Sequence, residues 1–124
     1  PSRNDKSEKP MNGRASPFEP RIWVIEANGR LDATQTPALE TALQEVMNRG
    51  RYHLLINLER ARCLSSNNLK AFLLAQRRAQ AHGGDLALCC PPPRILEVLE
   101  ITGLARFFAI YESEEEAAKA SISA

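Results

Sequence analysis

"YHLLINLERARCLSSNNLKAFLLAQRRAQAHGGDLALCC", residues 52–90, holds two short apolar runs separated by a polar junction and one amphipathic segment. The first run, "YHLLINL", is almost continuously apolar, as a strand buried on both faces requires. After the junction, Leu69, Phe72 and Leu73 fall on one helical stripe that Leu74 and Ala75 widen, and "AHGG" supplies a C-terminal stop. "DLALCC" is a second strand of the buried type. A strand, a helix and a further strand in succession imply parallel pairing through a right-handed crossover.

The same alternation extends in both directions. "RIWVIEANG", residues 21–29, reads as a strand, because Ile22, Trp23, Val24 and Ile25 are β-branched or aromatic and Asn28-Gly29 carries turn chemistry. In "TPALETALQEVMNRG", residues 36–50, Thr36 can cap and Pro37 suits the first helical position. Leu39, Ala42, Leu43, Val46 and Met47 then repeat at helical spacing until Gly50. Pro93 can open a further helix bearing Leu96 and Leu99 and ended by Gly103. "SEEEAAKA" begins a last helix with a capping box between Ser113 and Glu116. The expected fold is α/β: a small mixed β-sheet with helices packed on it, of about four strands and four helices.

Composition narrows the function classes. The chain has 124 residues, 44% hydrophobic and 25% charged, which is ordinary for one globular domain. Its 16 basic residues are dispersed against 15 acidic ones, so direct nucleic-acid binding, which concentrates Lys and Arg on one surface, is not expected. Arg77-Arg78 reads as the solvated side of a helix. No apolar run approaches the roughly 20 residues that cross a bilayer, and no signal core precedes the domain, so a cytoplasmic protein without membrane insertion is expected. Cys63, Cys89 and Cys90 have no metal-ligand spacing, and an odd count fits a reducing compartment. On a strand, Cys89 and Cys90 would face opposite sides and could not both reach one zinc ion. Cys63 and Cys89 are expected to be inert core residues. Neither a metal nor a cofactor is expected, and a monomer is the default.

Residues 1–20 are rich in Pro, Ser, Asn, Lys and Glu and are expected to form a mostly disordered tail with at most a short edge strand near Phe18. Met11 is a candidate native start preceded by residues 1–10 of other origin. The domain is expected over residues 21–120, with 121–124 a flexible C-terminus.

The junction "SSNN", Ser65 to Asn68, falls where a strand hands over to a helix, the end at which open α/β sheets present functional groups. Helix N-termini leave four N–H groups unpaired, and Ser or Asn side chains accept from them, so a capping segment accounts for this composition. The same geometry also suits a phosphoserine. Its roughly −1.5 to −2 charges would be tolerated by the helix dipole and the free N–H groups.

Three stretches carry a family resemblance: "GRLDATQTPALETAL", "INLERARCLSSNNLKAFLLAQRRAQAHGGDLALC" and "PPPRILEVLEITGLARFFAIYESEEEAA". In order and spacing, the chain from Arg21 to about Lys119 resembles the sulfate transporter and anti-sigma factor antagonist (STAS) domain, in particular the small single-domain bacterial anti-sigma factor antagonists. The resemblance implies partner switching. The unmodified antagonist binds an anti-sigma factor that is also a serine kinase, phosphorylation ends that binding, and a phosphatase restores it. The family loop usually reads Asp-Ser-Ser-Gly-Leu or Asp-Ser-Thr-Gly-Leu, which places the phosphoacceptor at Ser66. Here Ser65 stands at the Asp position, Asn67 at the second hydroxyl position and Asn68 at the Gly position. Asn68 thus sets a side chain where the family leaves backbone free for close approach.

The implied partner-binding residues are Asp32, Ser65, Ser66, Asn67, Asn68 and Lys70. For Asp32 a turn or cap role stands beside the partner contact, and Lys70 is expected at the rim. Catalysis is not expected: a serine nucleophile needs a base, and the two histidines are His53, in a strand, and His82, roughly 20 Å or more from Ser66 along the helix. The alternative is an interaction or scaffold module of the same fold, in a signalling assembly or transporter complex, that phosphate does not switch.

Overall fold

The computed structural model describes residues 13–123, whose elements run β1 (Gly13–Ala15), β2 (Trp23–Glu26), β3 (Gly29–Leu31), α1 (Thr36–Asn48), β4 (His53–Asn57), β5 (Ala61–Leu64), α2 (Ser66–Ala81), β6 (Asp85–Cys89), α3 (Pro93–Ile101), β7 (Ile110–Tyr111) and α4 (Glu114–Ser123). Five strands make one mixed sheet in the order β1-β2-β4-β6-β7, with β1 antiparallel to β2 and the other neighbours parallel. The remaining two, β3 and β5, pair only with each other, in parallel.

Strand alternation explains why the sheet is covered on both faces. Ile25, Leu54, Ile56, Leu86 and Leu88 point to one side, where Leu39 and Leu43 of α1, Leu69 and Phe72 of α2, and Ile95 and Leu99 of α3 complete the main core. Val24, Leu55 and Cys89 point to the other side, where Ala117 and Ala118 of α4 close a smaller core. β4 is buried from Leu54 to its end because it lies between two parallel neighbours and two layers of side chains. Each fully buried Leu or Phe contributes roughly 1.5–3 kcal/mol, so these two layers supply most of the drive to fold.

The strand-helix alternation read from residues 52–90 matches the structure, and four short strands come in addition. β1 lies ahead of Arg21, at Gly13–Ala15, and Ser16 and Glu19 are buried beside it. The edge strand is therefore Gly13–Ala15 and not a segment at Phe18, while Met11 lies outside the described residues. β3 and β5 each span only three or four residues and carry exposed Arg30 and Arg62, so their apolar signal is confined to Leu31, Ala61 and Leu64.

Capping differs in detail too. Thr36 does not cap α1: a 3-10 turn, Ala33–Gln35, leads into the helix, and Asp32 caps that turn. At α4, Ser113 Oγ accepts from Glu116 N at 3.1 Å, but Glu116 Oε1 reaches back to Glu112 N, one residue earlier than a capping box requires. The two glycines after α2 have separate tasks. Gly83 takes a φ of +84°, whereas a Cβ on Gly84 would stand 1.9 Å from the Tyr52 carbonyl oxygen.

One polar cluster ties the first strand to the last helix. Arg14 donates to both carboxylate oxygens of Glu114, at 2.6 and 3.2 Å, and also to Glu26 at 3.1 Å, while Asn57 Nδ2 donates to Glu114 at 2.7 Å. Burial pushes the Glu114 pKa up, but the Arg14 and Asn57 hydrogen bonds outweigh it and hold the group below its ordinary 4.5. A carboxyl whose folded pKa lies below its unfolded one stabilises the fold above the unfolded value, and that contribution is lost as pH falls through the folded pKa. Glu114→Gln is therefore expected to cost about 1 kcal/mol at neutral pH. In urea titrations at successive pH values, its stability curve should converge on the unsubstituted curve below pH 4.5. Glu19, which Arg21 lowers to about 2, and Asp32 keep the acid limb from vanishing in the variant.

Candidate functional site

The small β3–β5 ladder decides where the junction residues stand. It pairs Gly29 with Ala61, Arg30 with Cys63 and Leu31 with Leu64, and a register shift after Gly29 takes up Arg62 as an extra residue. Because the pairing is parallel, both strands end on the same side, bringing the turn after Leu31 beside the junction after Leu64. Ser65 N–H donates to Leu31 O at 2.9 Å and fixes that approach.

Ser65 is extended, with φ −86° and ψ 161°, and is the N-cap of α2: its Oγ accepts from Asn68 N at 3.3 Å. Ser66 is the first helical residue. It and Asn67 are exposed, and their amides belong to the first turn of a helix, which lacks intrahelical acceptors. The Ser66 hydroxyl thus sits in solvent over the positive end of a sixteen-residue helix.

Asn68 is placed differently from the partner contact expected of it. It is 0% exposed, and its side chain works entirely inside the protein. Thr36 Oγ1 donates to Asn68 Oδ1 at 2.9 Å, and Asn68 Nδ2 donates to the carbonyls of Leu31 and Asp32. One buried amide therefore joins α2, the β3 turn and α1. Thr36 and Leu31 are the residues at this site that sequence reasoning missed. Thr36 lies 32 residues from Asn68 in the chain, and no local pattern reports such a pairing.

Asp32 is half-buried beside the junction. Its Oδ1 accepts from Thr34 N at 3.0 Å and from Thr34 Oγ1 at 2.5 Å, and these hydrogen bonds, the side-chain one first, hold its pKa below the usual carboxylate value. The turn role is thus filled. Lys70 is exposed one turn into α2. Further along the same helix, Leu74 is 64% exposed at the rim of a groove that Leu43 and Met47 of α1 help to line. Asp32, Ser65, Ser66, Asn67 and Lys70 consequently border one patch of surface, with Asn68 beneath it.

Neither of the two histidines stands beside the junction serines. His82 follows the far end of α2, whose sixteen residues span about 24 Å, and it stacks on Tyr52 with ring centroids 4.1 Å apart. His53 is the first residue of β4, the central strand, whereas the junction follows the last residue of β5. Among the described residues, no group of three His, Cys, Asp or Glu could hold a metal ion, and no helix is long and apolar enough to cross a membrane. Of the cysteines, Cys89 is in the core as expected, whereas Cys63 is only half-buried on β5.

A family model described as the STAS domain matches residues 15–117. The chain is similar to BtrV of Bordetella bronchiseptica, named as a candidate anti-sigma factor antagonist, at 30% identity over 92 residues, 74% of this chain and 79% of that protein. Among solved structures, it is similar to a candidate anti-sigma factor antagonist from Thermotoga maritima, with a TM-score of 0.79 at 20% identity over 88% of this chain and 92% of the other. It is also similar to the anti-sigma factor antagonist SpoIIAA in its unphosphorylated form, with a TM-score of 0.74 at 21% identity over 91% and 98% of the two chains. A further structure holds SpoIIAA, a Bacillus cell fate determinant, in its phosphorylated form; there the TM-score is 0.65 at 22% identity over 89% and 99%.

Proposed function

Because this chain belongs to the STAS domain family of anti-sigma factor antagonists, which are regulatory rather than catalytic, we propose that it binds an anti-sigma factor that is also a serine kinase and that phosphorylation of Ser66 ends the binding. The observation that carries this reading is the position of Ser66: an exposed hydroxyl at the first residue of a long helix, beside Asp32 and above a buried lock. A phosphate there adds roughly 1.5 to 2 negative charges where helix amides tolerate them, so the fold survives while the surface changes sign. A docked partner faces that charge with its own groups desolvated, which is costly when no cation answers it. Asp32, Ser65, Asn67 and Lys70 serve as the contact residues around Ser66, and Asn68 holds them from beneath. A phosphatase returns the protein to its binding state.

The test is phosphosite mapping of the protein from its native cells, with and without phosphatase treatment, together with the Ser66→Ala variant. Phosphate on Ser66 in at least one growth condition, and undiminished kinase-partner binding by Ser66→Ala, are the expected results. Ser66 unmodified in every growth and stress condition would end the switching reading.

A second reading draws on Asn68. A side chain that pins the loop by three hydrogen bonds makes the junction stiffer than a glycine would, and a stiff loop suits an interaction or scaffold module that phosphate does not control. Equal partner affinity in phosphorylated and unphosphorylated protein would favour it.

A further inference from the structure

Adjacent side chains on a strand point to opposite faces, which keeps neighbouring sulfurs apart. At the end of β6 this alternation breaks down. The strand stops at Cys89, and Cys90 takes a φ of +62°, the sole non-glycine residue with positive φ among the described residues. That backbone state is strained and persists only where its surroundings impose it; here Cys90 N–H donates to Tyr111 O at 2.9 Å and anchors the turn to β7. The turn swings Cys90 Sγ back to 3.1 Å from Cys89 Sγ. Cys89 forms the floor of the pair, fully buried against Val24, Leu55, Ala117 and Ala118. Cys90 is half-buried and opens into a surface depression bordered by Phe18, Asn57, Glu59, Pro91 and Glu114.

We propose that Cys89 and Cys90 form a chelating dithiol site for trivalent metalloids, the chemical class of arsenite and the organic arsenoxides. A trivalent arsenic centre takes sulfur ligands on bonds set at nearly right angles and needs only two of them from the protein. Zinc suits the pair less well: two Zn–S bonds of about 2.3 Å at the tetrahedral angle place their sulfurs roughly 3.8 Å apart, and a group of three ligating side chains is missing among the described residues. With an arsenoxide, two As–S bonds form while both S–H bonds and the arsenic–oxygen double bond break. The oxygen leaves with the two thiol protons as one water. Arsenic stays trivalent, and neither an oxidant nor a net proton is required. Burial pushes both thiol pKa values up, which suits a condensation of neutral thiols and disfavours metal ions that need thiolates. Cys90 is reached first from the depression, and the ring then closes on Cys89.

The experiment uses the full chain, reduced with a phosphine and treated with one equivalent of phenylarsine oxide, and reads intact mass. The expected product is a single adduct, heavier by the arsenoxide less one water, that survives excess monothiol and is removed by a dithiol such as dimercaptopropanol. Cys63→Ser should keep the adduct. Cys90→Gly, which retains the left-handed backbone, should hold it at least tenfold less well against monothiol while showing a cooperative melt. Cys90→Asn, also tolerant of positive φ, replaces it should the glycine variant fail to fold. No adduct, an adduct stripped from the unsubstituted protein by monothiol, or one that persists without Cys90 overturns the proposal.

Discussion

Ser66→Asp is expected to weaken binding to the proposed partner, an anti-sigma factor kinase, by about 2 kcal/mol, roughly thirtyfold in Kd, without lowering the melting temperature. The two halves of this result have different causes. Ser66 is exposed at the first helical position, so a carboxylate there meets the unpaired amides of the first turn and favours the helix by about 0.3–1 kcal/mol. In a complex, the same carboxylate loses water on the side facing the partner, and exposed Lys70 one turn along the helix offsets only a small part of that cost, which is the source of the larger unfavourable figure. Calorimetric titration against the kinase, with a thermal melt of each variant, separates the two. Weaker binding with an unchanged melt supports a surface switch; equal affinity for Ser66→Asp, Ser66→Ala and the unsubstituted chain removes it.

Asn68→Ala is expected to lower stability by about 3 kcal/mol and the melting temperature by roughly 10–20 °C, the largest loss at the site from one side chain. The substitution removes three hydrogen bonds, to the Thr36 hydroxyl and to the Leu31 and Asp32 carbonyls, in a place with no exposed surface at position 68; Leu31 O keeps the Ser65 N–H and Asp32 O keeps the Gln35 N–H. Each lost hydrogen bond is worth about 0.5–1.5 kcal/mol net, and the three are not independent. Asn67→Ala, one residue away and exposed, should stay within about 0.5 kcal/mol. Urea titrations of both variants give the comparison, and similar midpoints for the two would mean that the buried amide holds nothing.

The contrast between Asn67 and Asn68 also marks how far the sequence could be read. Helices with a continuous apolar stripe and strands with four or more buried residues announce themselves, because one local period governs the whole segment. Phe72 and Leu69 placed α2 on the core in this way, and Leu54 to Leu58 placed β4 in the middle of the sheet. The serines at 65 and 66 were legible as cap and first turn for the same local reason. What remained hidden depends on neighbours distant in sequence. β3 and β5 are strands only because each supplies the other's hydrogen bonds. Two adjacent asparagines have identical chemistry, and only the approach of Leu31 and Thr36 makes one of them a buried lock. The Cys90 turn reversed an expectation that held for a regular strand and failed one residue past its end.

The separate β3–β5 ladder gives the junction a mounting of its own. The five-stranded sheet supplies the rigid frame, and neither β3 nor β5 pairs with it. A two-stranded ladder is marginal by itself, so the loop around Ser66 can open by releasing that ladder and the Asn68 amide while every pairing in the large sheet stays closed. Local opening of this kind draws on the low-stability end of a fold. A modification at the junction would then be felt as a change in how often the mount loosens, at a cost far below that of unfolding the domain.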